Sequence, residues 1–287
     1  MKLLLEFHQL SELVLQINRQ QNLSHIFKYC SRLRNLRKLK IRFSGWRTSY
    51  NQERPNPIND IGKVIASNPN LTHLELDWMG TVEGSFSTIF SHVPAGSPLK
   101  LEHFAISNSP SDVRAIVPHV RSLTSIDLQS AYVPCPLLVQ VLHSERIFPS
   151  TIRTSHVDDH LITYLNHHPR IVSLSIDAAF DEVVGKKILQ IMALHSESLT
   201  YFRTSCSSFI SCLKHVENEL LLLQCTKLEQ LLFRYDYKDR YDMLCLPPKL
   251  VSGQFIKIHT GGTQAYTTRR PRRLLRIYLF LRVYQAH

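Results

Sequence analysis

The stretch Asn68–Gly80, "NPNLTHLELDWMG", sets Leu71, Leu74 and Leu76 three and then two residues apart. An amphipathic helix needs steps of three and four, and a half-buried strand needs steps of two throughout. The mixed spacing fits a chain that turns in at Leu71 and then runs as a short strand. Leu74 and Leu76 point inward there and flank one outward residue, Glu75.

The pattern recurs along the chain. It reappears as Leu10, Leu13, Leu15; Leu36, Leu39, Ile41; Leu101, Phe104, Ile106; and Leu123, Ile126, Leu128. Further copies are Ile171, Leu174, Ile176; Leu199, Phe202, Thr204; and Leu228, Leu231, Phe233. A degraded copy, "IFPSTIRTS", offers Ile147 and Ile152 with Ser150 in the middle slot. First positions at 10, 36, 71, 101, 123, 147, 171, 199 and 228 are 22–35 residues apart, close to the spacing of leucine-rich repeats. The expected fold is therefore α/β: a leucine-rich-repeat solenoid, or horseshoe, of about nine irregular units over residues 1–260. Parallel strands line its concave face, and the segments between them return outside as helices. "DIGKVIASN" and "VVGKKILQIMALHS" carry apolar residues at helical spacing, and Ser111 or Asp112 is placed to cap a short helix.

"FKYCSRLRNLRKLKI", "IASNPNLTHLEL" and "LNHHPRIVSLSI" resemble the helix end, turn and strand of the repeats in F-box/leucine-rich-repeat proteins, most closely the irregular fungal type. In that family a Cys or Asn before the turn can bond backbone groups left open by the helix end. The resemblance covers roughly residues 5–240. It implies a substrate-recognition module that feeds targets to a cullin–RING ubiquitin ligase and performs no chemistry itself. It departs from the family in one respect: no F-box precedes the repeats, which are already in step by Leu10. The ligase adaptor is then a partner only if an F-box lies upstream. The apolar opening "MKLLLEFHQL" likewise leads us to expect F-box helices upstream or a partner chain against the first strand.

Composition narrows the other readings. Six of the net eleven positive charges are arginines in the last nineteen residues, which hold no Asp or Glu, so 261–287 reads as a basic C-terminal tail. The six cysteines form no C-x-x-C pair, which removes a zinc ribbon and suits reduced thiols in a cytoplasmic or nuclear protein. No apolar run is long enough to span a membrane. "DDHLITYLNHHP" reads as a helix with Asp158 and Asp159 at its start and His167 and His168 at its end, rather than as a metal site. "CSSFISC" reads as structural thiols, and "HTGGT" as a turn. With no placed nucleophile, base or metal, neither catalysis nor a cofactor is expected.

The expected partner-binding residues are those flanking the inward pairs: Lys38, Lys40, Arg42, His73, Glu75, Asp77, His103, Ser125, Asp127, Gln129, Ser175, Asp177, Tyr201, Arg203, Gln230 and Arg234. A protein target on this face is the first reading. Nucleic acid held by the tail and by Lys38, Lys40 and Arg42 is a second, and a free-standing repeat scaffold is a third.

Overall fold

The computed structural model describes residues 9–18, 23–44, 57–78, 85–107, 112–128, 136–213, 215–236, 256–257 and 276–282. The apolar opening 1–8, Ser111, Gln129, Cys135, Cys245 and the "HTGGT" turn lie outside them. The chain divides into two units, Met1–Pro149 and Ser150–His287. In both, parallel strands alternate with helices, and neither sheet closes on itself.

The first unit holds strands β1 (Glu12–Asn18), β2 (Lys38–Ser44), β3 (His73–Trp78), β4 (His103–Ile106) and β5 (Ser125–Leu128), paired in that order. Between and after them run α1 (Leu23–Cys30), α2 (Ile58–Ala66), α3 (Phe86–Phe90), a 3-10 helix (Val113–His119) and α4 (Pro136–Ser144). The second unit holds β6 (Thr151–Thr154), β7 (Ser173–Ile176), β8 (Tyr201–Thr204) and β9 (Gln230–Asp236). Its helices are α5 (Asp159–His167), α6 (Glu182–Leu194), α7 (Ser207–Cys212) and α8 (Val216–Leu223). Two strands from the chain's last part follow: β10 (Ile256–Lys257) and β11 (Arg276–Arg282), with β11 beside β9 and β10 beyond it. Of the basic segment 261–287, β11 is the part described.

The three-then-two spacing has a definite cause. Thr72 and His73 both donate their backbone N–H groups to one carbonyl, that of Arg37, at 2.9 and 3.0 Å. Two successive donors against one acceptor produce a bulge-like bend that shifts side-chain parity by one. Leu71 before the bend and Leu74 after it therefore both face the core. The arrangement repeats: Arg37 and Lys38 share Ser11 O, Glu102 and His103 share Thr72 O, and Thr124 and Ser125 share Glu102 O. In the second unit Val172 and Ser173 share Ser150 O, Thr200 and Tyr201 share Val172 O, and Glu229 and Gln230 share Thr200 O. Three of these entries begin Leu-Thr, and the hydroxyls of Thr72, Thr124 and Thr200 donate to the same shared carbonyls.

The core follows this geometry. Leu71, Leu74 and Leu76 are buried, and so are their counterparts in the other units from Leu36 to Leu231; Leu15, in the first copy, is half-buried. In the degraded copy the assignment of Ser150 to the middle slot is wrong. Ile152 sits opposite Leu174 and Thr154 opposite Ile176, so Ile152 fills the middle slot and Thr154 the inner one. Thr204 occupies the same inner slot in β8. Both threonines are buried, and each hydroxyl accepts from the N–H two residues on, His156 or Cys206, so neither is orphaned.

The turns between helix and strand are held by buried polar side chains. Asn68 donates to the Val64 carbonyl at the end of α2, and its Oδ1 accepts the N–H of Leu36 in the preceding repeat at 2.9 Å. His119 Nδ1 accepts the N–H of Leu99, and its ring stacks on Phe90. His195 Nε2 donates to the carbonyl of Leu165. His168, expected at the end of α5, caps that end; it is buried and accepts from the Arg170 N–H.

Helix starts are capped as the residue types demand. Asp158 caps α5 through Leu161 N, and Asp181 caps α6 through Val184 N. Asp112 departs from expectation: it makes no side-chain cap on its own helix. Its carboxylate accepts from the N–H groups of Phe86 and Ser87 and the hydroxyls of Ser85 and Ser87, closing the start of α3. Burial pushes this carboxyl up, but those hydrogen bonds outweigh it and hold it at about 2. The helix after Asp112 is a 3-10 helix, and Pro118 near its end has no N–H to give. Consecutive helices approach closely at glycines. A Cβ on Gly62 would lie 2.7 Å from the Ile89 carbonyl, and one on Gly185 would lie 2.5 Å from Cys212 Sγ.

Two outcomes are expected. Leu74→Ala costs about 2–5 kcal/mol in urea denaturation, the penalty for a buried Leu that leaves a cavity. Burial holds the His119 imidazole at about 4, below its ordinary value of 6.5. The unfolded chain then binds the extra proton first, so stability is complete above about pH 6.5 and falls as pH drops toward 4. His119→Gln flattens this part of the urea midpoint's pH profile; an unchanged slope would refute the assignment.

Candidate functional site

Side chains on the strand face away from the core form rows that follow the strand register. In the first unit one row is Glu12, Lys38, His73, His103, Ser125, and the next is Val14, Lys40, Glu75, Ala105, Asp127. A third begins Gln16, Arg42, Asp77. Each basic residue of β2 has a carboxylate beside it. Lys38 lies 3.9 Å from Glu12, Arg42 lies 3.9 Å from Asp77, and Lys40 pairs with Glu75. The predicted basic patch is thus the middle of an acid–base–acid series across β1, β2 and β3.

Beside this series His73 and His103 stand with ring centroids 5.6 Å apart. His103 Nδ1 lies 3.0 Å from Ser125 Oγ, and His73 Nδ1 lies 2.8 Å from Thr72 Oγ1. Burial, then the neighbouring His73 and Lys40, lower the His103 pKa and favour its neutral form. Val14, exposed among these charges, was not anticipated because only polar neighbours of the inward residues were considered.

In the second unit the rows are Thr151, Ser173, Tyr201, Gln230 and Arg153, Ser175, Arg203, Leu232. Asp177, just past β7, is 12% exposed, and each of its oxygens faces one arginine. Oδ2 lies 3.4 Å from Arg153 Nη2 and Oδ1 lies 3.4 Å from Arg203 Nε. Ser175, expected as an exposed lining residue, is buried between the two long side chains in register with it. Arg153 was missed because no face residues were taken from the degraded copy. The alternation in "TIRT" places it on the face beside inward Ile152. Arg234 lies in β9, with only its backbone described, and Gln129 is outside the described residues.

The thiols of Cys30, Cys206, Cys212 and Cys225 are free and buried. Burial raises Cys30 to about 11 and Cys225 to about 12. Burial, with the Glu182 carboxylate, raises Cys212. Such thiols are poor nucleophiles. Among the described residues no group of three or more His, Cys, Asp or Glu is placed to hold a metal, and no helix is long and apolar enough to cross a membrane. No protein-family model matches the chain, and no curated protein matches it.

The Lys40–Glu75 pair is half-exposed on both sides. A double-mutant cycle through Lys40→Ala and Glu75→Ala is therefore expected to give a coupling of about 1 kcal/mol or less, since solvent screens such pairs. A larger coupling in urea denaturation would mean that these charges hold the fold instead of decorating it.

Proposed function

We propose that the chain is a non-enzymatic protein-binding repeat module whose partner docks on the exposed strand face. One observation carries this reading: the face bears charges of both signs, matched strand by strand, as with Glu12–Lys38, Lys40–Glu75 and Arg42–Asp77. Such a surface suits a partner with its own mixed charges and repels a uniformly charged one somewhere along its length. Tyr201 and Arg203, adjacent on the face of the second unit, belong to the residue types that most often anchor interfaces.

The finer reading is substrate recognition for a cullin–RING ubiquitin ligase. Its support is the resemblance of the Asn-Pro and Cys-containing turns to those of F-box repeat proteins. The buried Asn68 performs the bonding that this resemblance implies. On this reading the ligase adaptor binds through an F-box outside the sequence considered, and the strand face holds the target.

Nucleic-acid binding is the weaker alternative. Lys38, Lys40 and Arg42 already face carboxylates, so phosphates would release few counterions there and would meet Glu12, Glu75 and Asp77.

The test is affinity capture with the full chain and its variants. Partners retained by the wild type are expected to be lost with Tyr201→Ala and with Glu75→Lys, and kept with Lys186→Ala on the exposed side of α6. Co-capture of a ligase adaptor with a chain extended upstream supports the finer reading. Equal retention by all three variants, or a steep salt-dependent affinity for generic RNA or DNA, would overturn the protein-binding reading.

A further inference from the structure

Strand β1 opens the sheet of the first unit, and among the described residues it has a neighbouring strand on one side only, β2. Its backbone parity is fixed by the shared carbonyl. Ser11 O accepts from Arg37 and Lys38, so Ser11 faces β2, and with it Leu13, Leu15 and Ile17. Alternate residues of a strand turn their N–H and C=O groups to opposite sides. Glu12, Val14 and Gln16 therefore turn both groups to the free edge, and no described residue bonds them there. Such an edge is a template for another strand, and proteins blunt it with Lys, Pro, a bulge or a short length. "ELVLQIN" uses none of these: it holds no Lys or Pro, and it stays in register with β2 over all seven residues. Two apolar side chains are also left uncovered there. Val14 is 53% exposed among charged neighbours, and Leu15 is half-buried where its counterparts Ile41, Leu76, Ile106 and Leu128 are buried.

We infer that β1 pairs antiparallel with β1 of a second copy of this chain, on a two-fold axis through Val14. Residues whose N–H and C=O groups both face the partner strand meet as hydrogen-bonded pairs. Val14 then stands opposite the partner's Val14, and Glu12 opposite the partner's Gln16, so the edge groups of all these residues are bonded. On the outer face the exposed valines cover each other. On the inner face Leu13 meets the partner's Leu15, and the half-buried leucine gains apolar cover. Charge permits the pairing. Each Glu12 faces an amide, and the two glutamates lie roughly 14 Å apart along the pair, beyond a Debye length at physiological salt. An axis through Leu15 would set Val14 against Gln16 and forfeit the apolar pair. Every opposite pair is thus matched within this one sequence, which commits the edge to a second copy. The two-fold axis closes the contact at a dimer and leaves no further edge to propagate a fibre through β1. Both core faces stay on one side of the joined sheet, so the pairing is independent of what docks on the charged face.

The experiment is sedimentation velocity of the full chain over a concentration series, with hydrogen exchange read at the amides of Glu12, Val14 and Gln16. A monomer–dimer equilibrium is expected, with exchange at these amides slowing as concentration rises. Val14→Lys sets like charges opposite each other and weakens dimerisation roughly tenfold or more. Val14→Pro removes the edge-facing N–H without touching the ladder to β2, and acts likewise. The urea midpoint of the dilute chain stays level in Val14→Lys because that side chain is exposed, so loss of pairing is told apart from loss of folding. Val14→Glu weakens self-association in the same way. Mixing it with Val14→Lys restores a one-to-one dimer, which requires the two side chains to stand opposite each other. A monomer at every concentration, a dimer indifferent to Val14→Lys and Val14→Pro, or no rescue on mixing would overturn the inference. If the chain stays monomeric and Val14→Pro loses a captured partner, the edge takes a foreign strand and the pairing with a second copy fails.

Discussion

Two successive N–H groups closing on one carbonyl of the preceding unit is the bond on which the rest of this molecule depends. It is made at the start of β2, β3, β4 and β5 in the first unit and of β7, β8 and β9 in the second. It fixes the register of each strand against the one before it. It also bends the chain, so that an apolar residue three positions before the next inward one still faces the core. Without the bend, Leu71 and Leu74 would lie on opposite faces of a straight strand. With it, each unit contributes three inward residues, and the core of each unit grows by stacking.

That bond leaves its own debts. A chain that turns sharply into a strand has backbone groups that neither helix nor ladder can satisfy. Asn68 takes one from the preceding repeat, His119 takes another, and His195 reaches the end of α5. Three different side chain pairings answer one kind of need. The turn therefore demands a hydrogen-bonding group that tolerates burial, and either an amide or an imidazole will serve. This explains why several of the fifteen histidines are buried at helix ends and why the histidine abundance says nothing of metal chemistry.

The repeat was legible because apolar spacing is strong and redundant. Leu36, Leu71, Leu101 and Ile171 could each be placed from the pattern alone, and each is fully or almost fully buried. What failed was whatever depended on one residue seen without its neighbours. Thr154 was not considered for an inner slot, Ile152 was put there, and no face residue was taken from this copy, so Arg153 was not named. The hydroxyl's local bond to His156 makes the slot acceptable, and local hydrogen bonding is invisible to a hydropathy pattern. Asp112 has the right type and position to cap its own helix, yet it caps α3 across space, a choice set by tertiary packing. Ser175 was correctly placed on the strand face but not seen to be buried, because burial there comes from flanking strands remote in sequence.

The fold places few demands on the face that carries the charges. The shared-carbonyl bonds are made by backbone, with help from Thr72, Thr124 and Thr200 just before the strands, and the core is filled by the opposite parity. Lys40, Glu75 and Arg203 could all change without altering register. The residues on that face are consequently the part of the sequence that the architecture does not explain. The two units also use charge differently. The first pairs each basic residue of β2 with a carboxylate, whereas the second gathers two arginines around one aspartate and a hydroxyl without a partner. Stacking alone would have tolerated serine or threonine at every one of these positions.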